Sequence, residues 1–435
     1  MGTYLSRTPG SAGNRKTMTF SCWVKRSGLS SFQSIISAGT NGATYSDDLS
    51  FQSSDTLMLD LITTSGRYQA QSSALFRDTA SWYHVVVAIN TTAASNRMLV
   101  YVNNEQVAVN SGGIPQNQDI TFNNNTLQEI GRRGSNSSNF GSYYLTDFNF
   151  IDGQALTPST FGETDSTTGE WKPKVDFTGL TYGTNGFRLQ FGNAAALGTD
   201  TSGQSNNFTV NSAGTNAKTV DTASNNFVTW NPLVNRSFQY PMTLSEGNLK
   251  VIADSNTSYG STMAATVSLG KGKWFWEFKY TTSGTGGYVV GWGEDTYNFN
   301  YQADAYPYKS TLGSSSGVFY RADGGKAVNG TETGSAGDAW AQNDIIGVAA
   351  DFDASTITFY NQGVSQFTVT SAFTSTVKYY PEFYGYGSKG GQANFGNPPY
   401  TIASGNADAN GHGNFEYAVP SGYYALCTKN INQYG

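Results

Sequence analysis

The densest recognition chemistry in the sequence is the run Tyr297-Asn298-Phe299-Asn300-Tyr301-Gln302, followed closely by Tyr306-Pro307-Tyr308. Aromatic rings offer flat apolar faces, and amides both donate and accept hydrogen bonds. Interleaved, they suit contact with a glycan or a protein. The competing reading is that these rings pack under their own loop or against a neighbouring subunit. Arg132-Arg133, with the Ser/Asn-rich stretch after them, form a second candidate patch. Catalytic constellations are harder to find. The two histidines, His84 and His412, lie in different regions, and no ligand set has the clustering a zinc site needs. His84 sits in the apolar run Trp82–Ile89 and reads as a structural residue. No Gly-x-Ser-x-Gly elbow with a supporting histidine occurs. The stretch Gly284-Thr285-Gly286-Gly287 lacks a lysine and a following helix, so it reads as a turn and not a phosphate cradle. Cys22 and Cys427 are too few for a disulfide framework and read as two buried free thiols.

The elements that must position these residues read as strands. Charged residues make up only 13% of the 435, about half the roughly 25% of an ordinary soluble domain. Ser, Thr, Asn, Gln and 50 glycines supply the polar surface instead, beside 27 Tyr and 26 Phe. That mixture favours short strands joined by tight turns. Thr17–Val24 alternates, with Met18, Phe20, Cys22 and Val24 on one face and Thr17, Thr19, Ser21 and Trp23 on the other. Lys273–Tyr280 places Trp274, Trp276, Phe278 and Tyr280 together, and Asp344–Phe352 does the same with Ile346, Val348, Ala350 and Phe352. Asn103-Asn104 and Asn361-Gln362-Gly363 have the composition of hairpin turns. No segment keeps a helical period. The expectation is an all-β chain of two tandem β-sandwich (jelly-roll) domains, residues 1–165 and 229–398. An extended Gly/Ser/Thr/Asn-rich connector, 166–228, joins them, and a C-terminal tail, 399–435, follows. A net charge of −6 with no Lys/Arg block argues against nucleic-acid binding. No apolar run approaches the ~20 residues of a membrane helix, and Met1–Leu5 lacks the apolar core of a secretion signal.

Two resemblances sharpen this reading. Thr19-Phe20-Ser21-Cys22-Trp23-Val24-Lys25, Trp82-Tyr83-His84-Val85-Val86-Val87, Leu99-Val100-Tyr101-Val102-Asn103-Asn104 and the closing Tyr144–Gly153 with Ala155-Leu156 resemble a laminin-G/concanavalin-like jelly roll over residues 1–165. Gly272-Lys273-Trp274-Phe275-Trp276-Glu277-Phe278, Val290-Gly291-Trp292-Gly293, Asp344–Asp353, Thr356–Gly363, Tyr380-Pro381-Glu382-Phe383 and Ala393-Asn394-Phe395-Gly396 resemble a SPRY domain over 229–398. In a SPRY domain the aromatic run would fall in a variable loop after the Gly291-Trp292 strand. The first resemblance implies a weak calcium site at the sandwich rim, where Asp48 precedes Leu49-Ser50-Phe51 with Asp47 and Asp55 nearby; the alternative is that these aspartates make turns. No other cofactor is implied. Concanavalin-like glucanases carry catalytic carboxylates on one strand as Glu-x-Asp-x-x-Glu. This chain has no such triad, and Glu277 stands alone as a solvated or paired residue.

The order of the two modules, with Tyr4-Leu5-Ser6-Arg7-Thr8 at the start and Pro420-Ser421-Gly422-Tyr423 and Ala425-Leu426-Cys427-Thr428 at the end, is similar to structural proteins of marine bacteriophages. The resemblance implies a non-enzymatic virion appendage, a tail or head fibre-like protein made in the host cytoplasm. It would bind host-surface glycan or protein and contact other virion proteins, as a homo-oligomer for which a trimer is one option. The alternative is a decoration or tail component whose loops touch only other virion proteins. The chain starts directly in its first sandwich, which favours a compact appendage or decoration protein over a free-standing fibre.

Overall fold

The computed structural model describes residues 2–109, 113–214, 217–235, 241–256, 260–284, 288–294 and 317–435. Among these described residues the regular elements are β-strands, apart from one α-helix, α1 (Thr428–Tyr434), and one 3-10 turn at Pro158–Thr160. Among the described residues no helix is long and apolar enough to cross a membrane. The chain divides into two units, residues 1–218 and 219–435.

Among its described residues the first unit has fifteen strands: β1 (Tyr4–Arg7), β2 (Thr17–Arg26), β3 (Gln33–Ala38), β4 (Ser46–Phe51), β5 (Leu57–Thr63), β6 (Gly66–Gln71), β7 (Tyr83–Asn90), β8 (Met98–Val102), β9 (Glu105–Val109), β10 (Gln128–Ile130), β11 (Tyr143–Asp152), β12 (Gly162–Thr164), β13 (Trp171–Pro173), β14 (Phe187–Leu189) and β15 (Thr209–Asn211). They form one sheet in the order β15-β1-β10-β3-β4-β5-β6, a second in the order β14-β11-β2-β7-β8-β9, and a small β12-β13 ribbon. Side chains alternate across a strand. Leu5, Ile130, Ile36, Leu49, Leu59 and Ala70 therefore share one register row of the first sheet, and that row faces the core. Met18, Phe20, Cys22 and Val24 meet it from β2, on the face the alternation predicts. Asn103 and Asn104 take φ of 49° and 71°, the two positive values a type I′ hairpin requires, between the paired Val102 and Glu105.

The other face of the second sheet is also covered. Val86 and Ile151 pack with Phe161 and Tyr182, and Leu156, Phe177 and Leu180 lie against them. Residues 156–182 thus form a third layer, which explains why Thr19, Ser21 and Trp23 on the outward face of β2 are buried. The stretch expected as a connector goes on to add β14 and β15 to the edges of the two sheets and to bury Phe187, Leu189 and Phe208 in the core. Some of its apolar residues come as a short alternating island, Phe187-Arg188-Leu189-Gln190-Phe191, and others, such as Phe208, stand alone in polar sequence.

The second unit has β16 (Trp230–Asn235), β17 (Thr243–Ser245), β18 (Lys250–Ile252), β19 (Ser261–Ala265), β20 (Lys273–Tyr280), β21 (Val289–Glu294), β22 (Gly317–Arg321), β23 (Lys326–Val328), β24 (Thr331–Thr333), β25 (Ile345–Asp351), β26 (Thr356–Asn361), β27 (Val364–Thr370), β28 (Tyr379–Gly385), β29 (Gly390–Asn394) and β30 (Tyr424–Ala425). The sheets run β16-β19-β28-β21-β22-β23-β24 and β17-β18-β29-β20-β25-β26-β27, and β30 adds in parallel beside β20. Trp274, Trp276, Phe278 and Tyr280 all lie in the core with Trp230 and Trp292, as the alternation of β20 predicts. The opposite face of β20 carries Phe275, which packs with Ala349, Phe227, Phe415, Ala425 and Cys427. Residues 399–435, read from the sequence as a tail, are therefore built into this unit, with Leu426 in its main core.

A short echo links the two units in sequence. Asp200-Thr201 leads to Ser205-Asn206-Asn207-Phe208, and Asp221-Thr222 leads to Ser224-Asn225-Asn226-Phe227. Asp200 accepts the Asn206 N–H at 2.8 Å and Asp221 accepts the Phe227 N–H at 3.3 Å. Each loop plugs its phenylalanine into one unit, Phe208 into the first core and Phe227 into the cluster on β20.

Candidate functional site

Ser21 and His84 oppose Val86 and Trp23 across β2 and β7, and the structure brings their side chains together, with Ser21 Oγ 2.9 Å from His84 Nε2. The third layer completes the group: the Trp171 indole N–H donates to His84 Nδ1 at 3.0 Å, and Trp23 stacks on the imidazole at 4.6 Å between centroids. An indole can only donate, so Nδ1 is the bare nitrogen and Nε2 carries the proton. Nε2 then donates to Ser21 and has no lone pair with which to take the hydroxyl proton. Burial pushes the imidazole down to about 3, so it stays neutral. A serine–histidine pair is present, but its tautomer is the wrong one for a general base.

Carboxylates meet on the first sheet of the same unit. Glu129, Ser37, Asp48 and Asp60 form one register row on β10, β3, β4 and β5, on the face away from the core. Asp48 and Asp60 are direct cross-strand neighbours, and such Cβ atoms lie about 4.5–5.5 Å apart. The row is sealed. Asp48, Asp60 and Glu129 are each 1% exposed. Arg67 binds Asp60 through two 2.7 Å hydrogen bonds, with Arg133 at 3.7 Å, and the Arg132 Nε donates to Glu129 at 2.8 Å. Ser37 Oγ donates to the Arg132 carbonyl and accepts the Gly134 N–H, each at 2.9 Å, which holds the arginine loop down over the row. A search for acids along one strand misses this group, because its acidic members sit on three different strands, β4, β5 and β10.

The arginines expected to contact a ligand are thus spent on internal partners. Arg132 also lies over the Tyr4 ring at 3.8 Å, and Arg133 over Phe32 at 5.3 Å. The calcium expectation at Asp48 meets a geometric obstacle. Asp48 lies within β4, not before it, so Asp47 and Asp48 point to opposite faces. Asp48 accepts the Ser34 hydroxyl, and Asp47 accepts the Phe122 N–H. Asp55 is held by Arg26, Arg77 and the Ser30 N–H. Among the described residues no group of three or more His, Cys, Asp or Glu is placed to hold a metal ion. Burial pushes Asp47 up to about 7 and Asp48 up to about 6.

In the second unit Glu277 is fully buried, not solvated. It accepts hydrogen bonds from the Asn394 amide at 3.0 Å and from the N–H groups of Glu416 at 3.0 Å and Tyr417 at 2.8 Å. Burial pushes it up to about 7 against the pull of those donors. It clamps residues 416–417 onto β20. Tyr297, Phe299, Tyr301, Tyr306 and Tyr308 lie outside the described residues.

Two family models agree with this architecture. Residues 2–160 match the concanavalin A-like lectin/glucanases superfamily, and residues 273–398 match the SPRY domain. Among solved structures, the SPRY domain of human HERC1 is 19% identical with a TM-score of 0.30, covering 38% of this chain and 94% of that one. The TRIM65 PSpry domain is 17% identical with a TM-score of 0.27, covering 38% and 91%. A heptameric SAP-like pentraxin from Limulus polyphemus is 17% identical with a TM-score of 0.28, covering 36% and 72%. No curated protein matched. The chain carries a domain of the concanavalin A-like lectin/glucanases superfamily followed by a SPRY domain.

Proposed function

We propose that the protein is a non-catalytic binding component of a bacteriophage particle, an appendage that engages host-surface glycan or protein. The carrying observation is that its reactive groups are spent on holding the fold together. The Ser21–His84–Trp171 trio has the wrong tautomer for proton abstraction, the Asp48–Asp60 row is closed over by arginines, and Glu277 clamps the C-terminal segment. Two sandwiches with packed cores leave loops and edges as the surfaces that meet partners. The particle assignment rests on the resemblance of the two ends and the module order to phage structural proteins. Adsorption competition tests the reading: purified protein is expected to label the surface of a susceptible bacterium and to block phage attachment. The Tyr301→Ala/Tyr306→Ala variant is expected to bind less. Labelling with no loss in that variant moves the contact elsewhere on the protein. Shortened products after incubation with mixed glycans would refute the non-catalytic reading.

A further inference from the structure

A charged side chain that burial cuts off from water needs both a counter-charge and hydrogen-bond partners. Arginine can find both at one edge of its guanidinium, where the Nε and Nη2 hydrogens point the same way and match the two oxygens of a carboxylate. That edge of Arg67 grips both Asp60 oxygens at 2.7 Å. Arg132 holds Glu129 with the same edge, and Arg321 holds Asp323. Arg26 is buried more deeply than these three, at 0% exposure. Its Nε and Nη2 have no acceptor among the described residues. Enclosed donors of this kind call for an occupant.

We infer that this edge of Arg26 is a binding site for one small carboxylate anion, of the size of formate or acetate. Arg26 ends β2 and continues the row of Phe20, Cys22 and Val24, which brings its guanidinium over the Phe51 ring at 4.4 Å. Only Nη1 is engaged by hydrogen bonds, to Asp55 at 3.0 Å and to the Phe76 carbonyl at 2.6 Å. Phe76 is buried between the half-exposed Leu75 and Arg77, so residues 73–78 form the cover of the site. The charges around it do not balance. Asp55 is shared between Arg26 and Arg77, whose Nε reaches it at 3.1 Å, so two guanidinium groups face one carboxylate. The other acid of this segment, Asp78, is exposed and accepts the Ala80 N–H. A water could accept both Arg26 hydrogens but would leave the excess positive charge buried. A carboxylate satisfies the hydrogens and the charge together, as Asp60 does for Arg67. This inference does not rest on the proposed function.

Equilibrium dialysis of the full chain against radiolabelled formate at low ionic strength tests it, and reads binding however slowly the cover opens. The wild type is expected to bind formate saturably, with one site per chain, and unlabelled acetate is expected to displace it. Arg26→Lys keeps the charge but loses the paired hydrogens, and is expected to weaken binding about tenfold or more. Near-ultraviolet circular dichroism would show whether that variant keeps its packing. Arg77→Gln leaves the Arg26 edge intact and removes one charge at a half-exposed position. It is expected to weaken formate binding several-fold, and it decides the matter should Arg26→Lys fail to fold. An absence of saturable binding, as a water at the edge would give, would overturn the inference. So would an affinity unchanged in Arg77→Gln or in a folded Arg26→Lys.

Discussion

At the scale of single residues, the protein uses potentially reactive groups as internal fasteners, and their partners set the penalties for removal. Trp171→Phe keeps the ring over His84 but deletes the donor to Nδ1. A buried acceptor left without its partner costs about 1–3 kcal/mol, so the urea midpoint of the first unit is expected to fall. An unchanged midpoint would mean the indole bond is incidental. The buried carboxylates give a second test, through pH. Asp47, Asp48 and Glu277 have folded pKa values raised to about 7, 6 and 7 from ordinary values near 4. The folded state therefore holds protons that the unfolded chain releases. Their contribution to stability is full below pH ~4 and is lost as pH rises toward ~7. Asp55, lowered by its hydrogen bonds and arginine partners against the cost of burial, acts in the opposite sense and only below its ordinary value. Melting temperature is expected to fall between about pH 4.5 and pH 7.5, with a shallower slope in Asp48→Asn. His84, held neutral down to about 3 by burial, opposes this fall below pH ~6.5 but is outweighed by the three carboxyls, so a rising profile would contradict their burial.

At the scale of elements, the strands were legible where both the alternation and the turn chemistry were strong. β2, β20 and β25 buried the faces their sequences indicate. Asn103-Asn104 and Gln362-Gly363 supply the positive φ values of tight hairpins. The covering segments were not legible. Phe161, Phe177, Tyr182, Phe208 and Phe415 lie in stretches with no sustained period to mark them. Their burial depends on grooves that exist only once the sheets have formed. The acidic row was hidden for a related reason: cross-strand register, not sequence spacing, brings Asp48 to Asp60. Arg132 and Arg133 read as exposed because nothing in the sequence shows that Glu129 and Asp60 lie beneath them. The two Asp-bracketed loops offer a clean test of how covering segments work. Phe208→Ala is expected to destabilise the first unit by about 3–5 kcal/mol and to spare the second, and Phe227→Ala the reverse. Two-transition unfolding, followed with a domain-specific probe, separates them. Equal effects of either substitution on both transitions would refute the plug assignment.

At the scale of the whole molecule, the two cores share no residue, so each unit should be an autonomous folding entity. The position of the cut then matters more than the cut itself. The resemblance to a SPRY domain placed the start of the second domain near residue 229 and its end near 398. Contacts place the second unit at 219–435, and the added segments are structural on both sides of β20. Phe227 bridges to Cys427, the Val228 N–H donates to the Leu426 carbonyl at 3.1 Å, and Leu426 lies in the main core. Residues 219–228 and 399–435 therefore brace one another, and removing either strands the other. Fragment 219–435 is expected to fold alone, with a sigmoidal denaturation curve and a strong near-ultraviolet signal from its buried tryptophans. Fragment 229–398 is expected to lose that signal and to aggregate, since it exposes Phe275 and the groove that held Leu426. Fragment 1–218 should likewise fold, whereas 1–165 lacks β14, β15 and Phe208 and exposes Phe148 and Phe150. If 229–398 proved as stable as 219–435, the C-terminal segment would be an accessory and not part of the fold. The role of Glu277 as its anchor would fall with it.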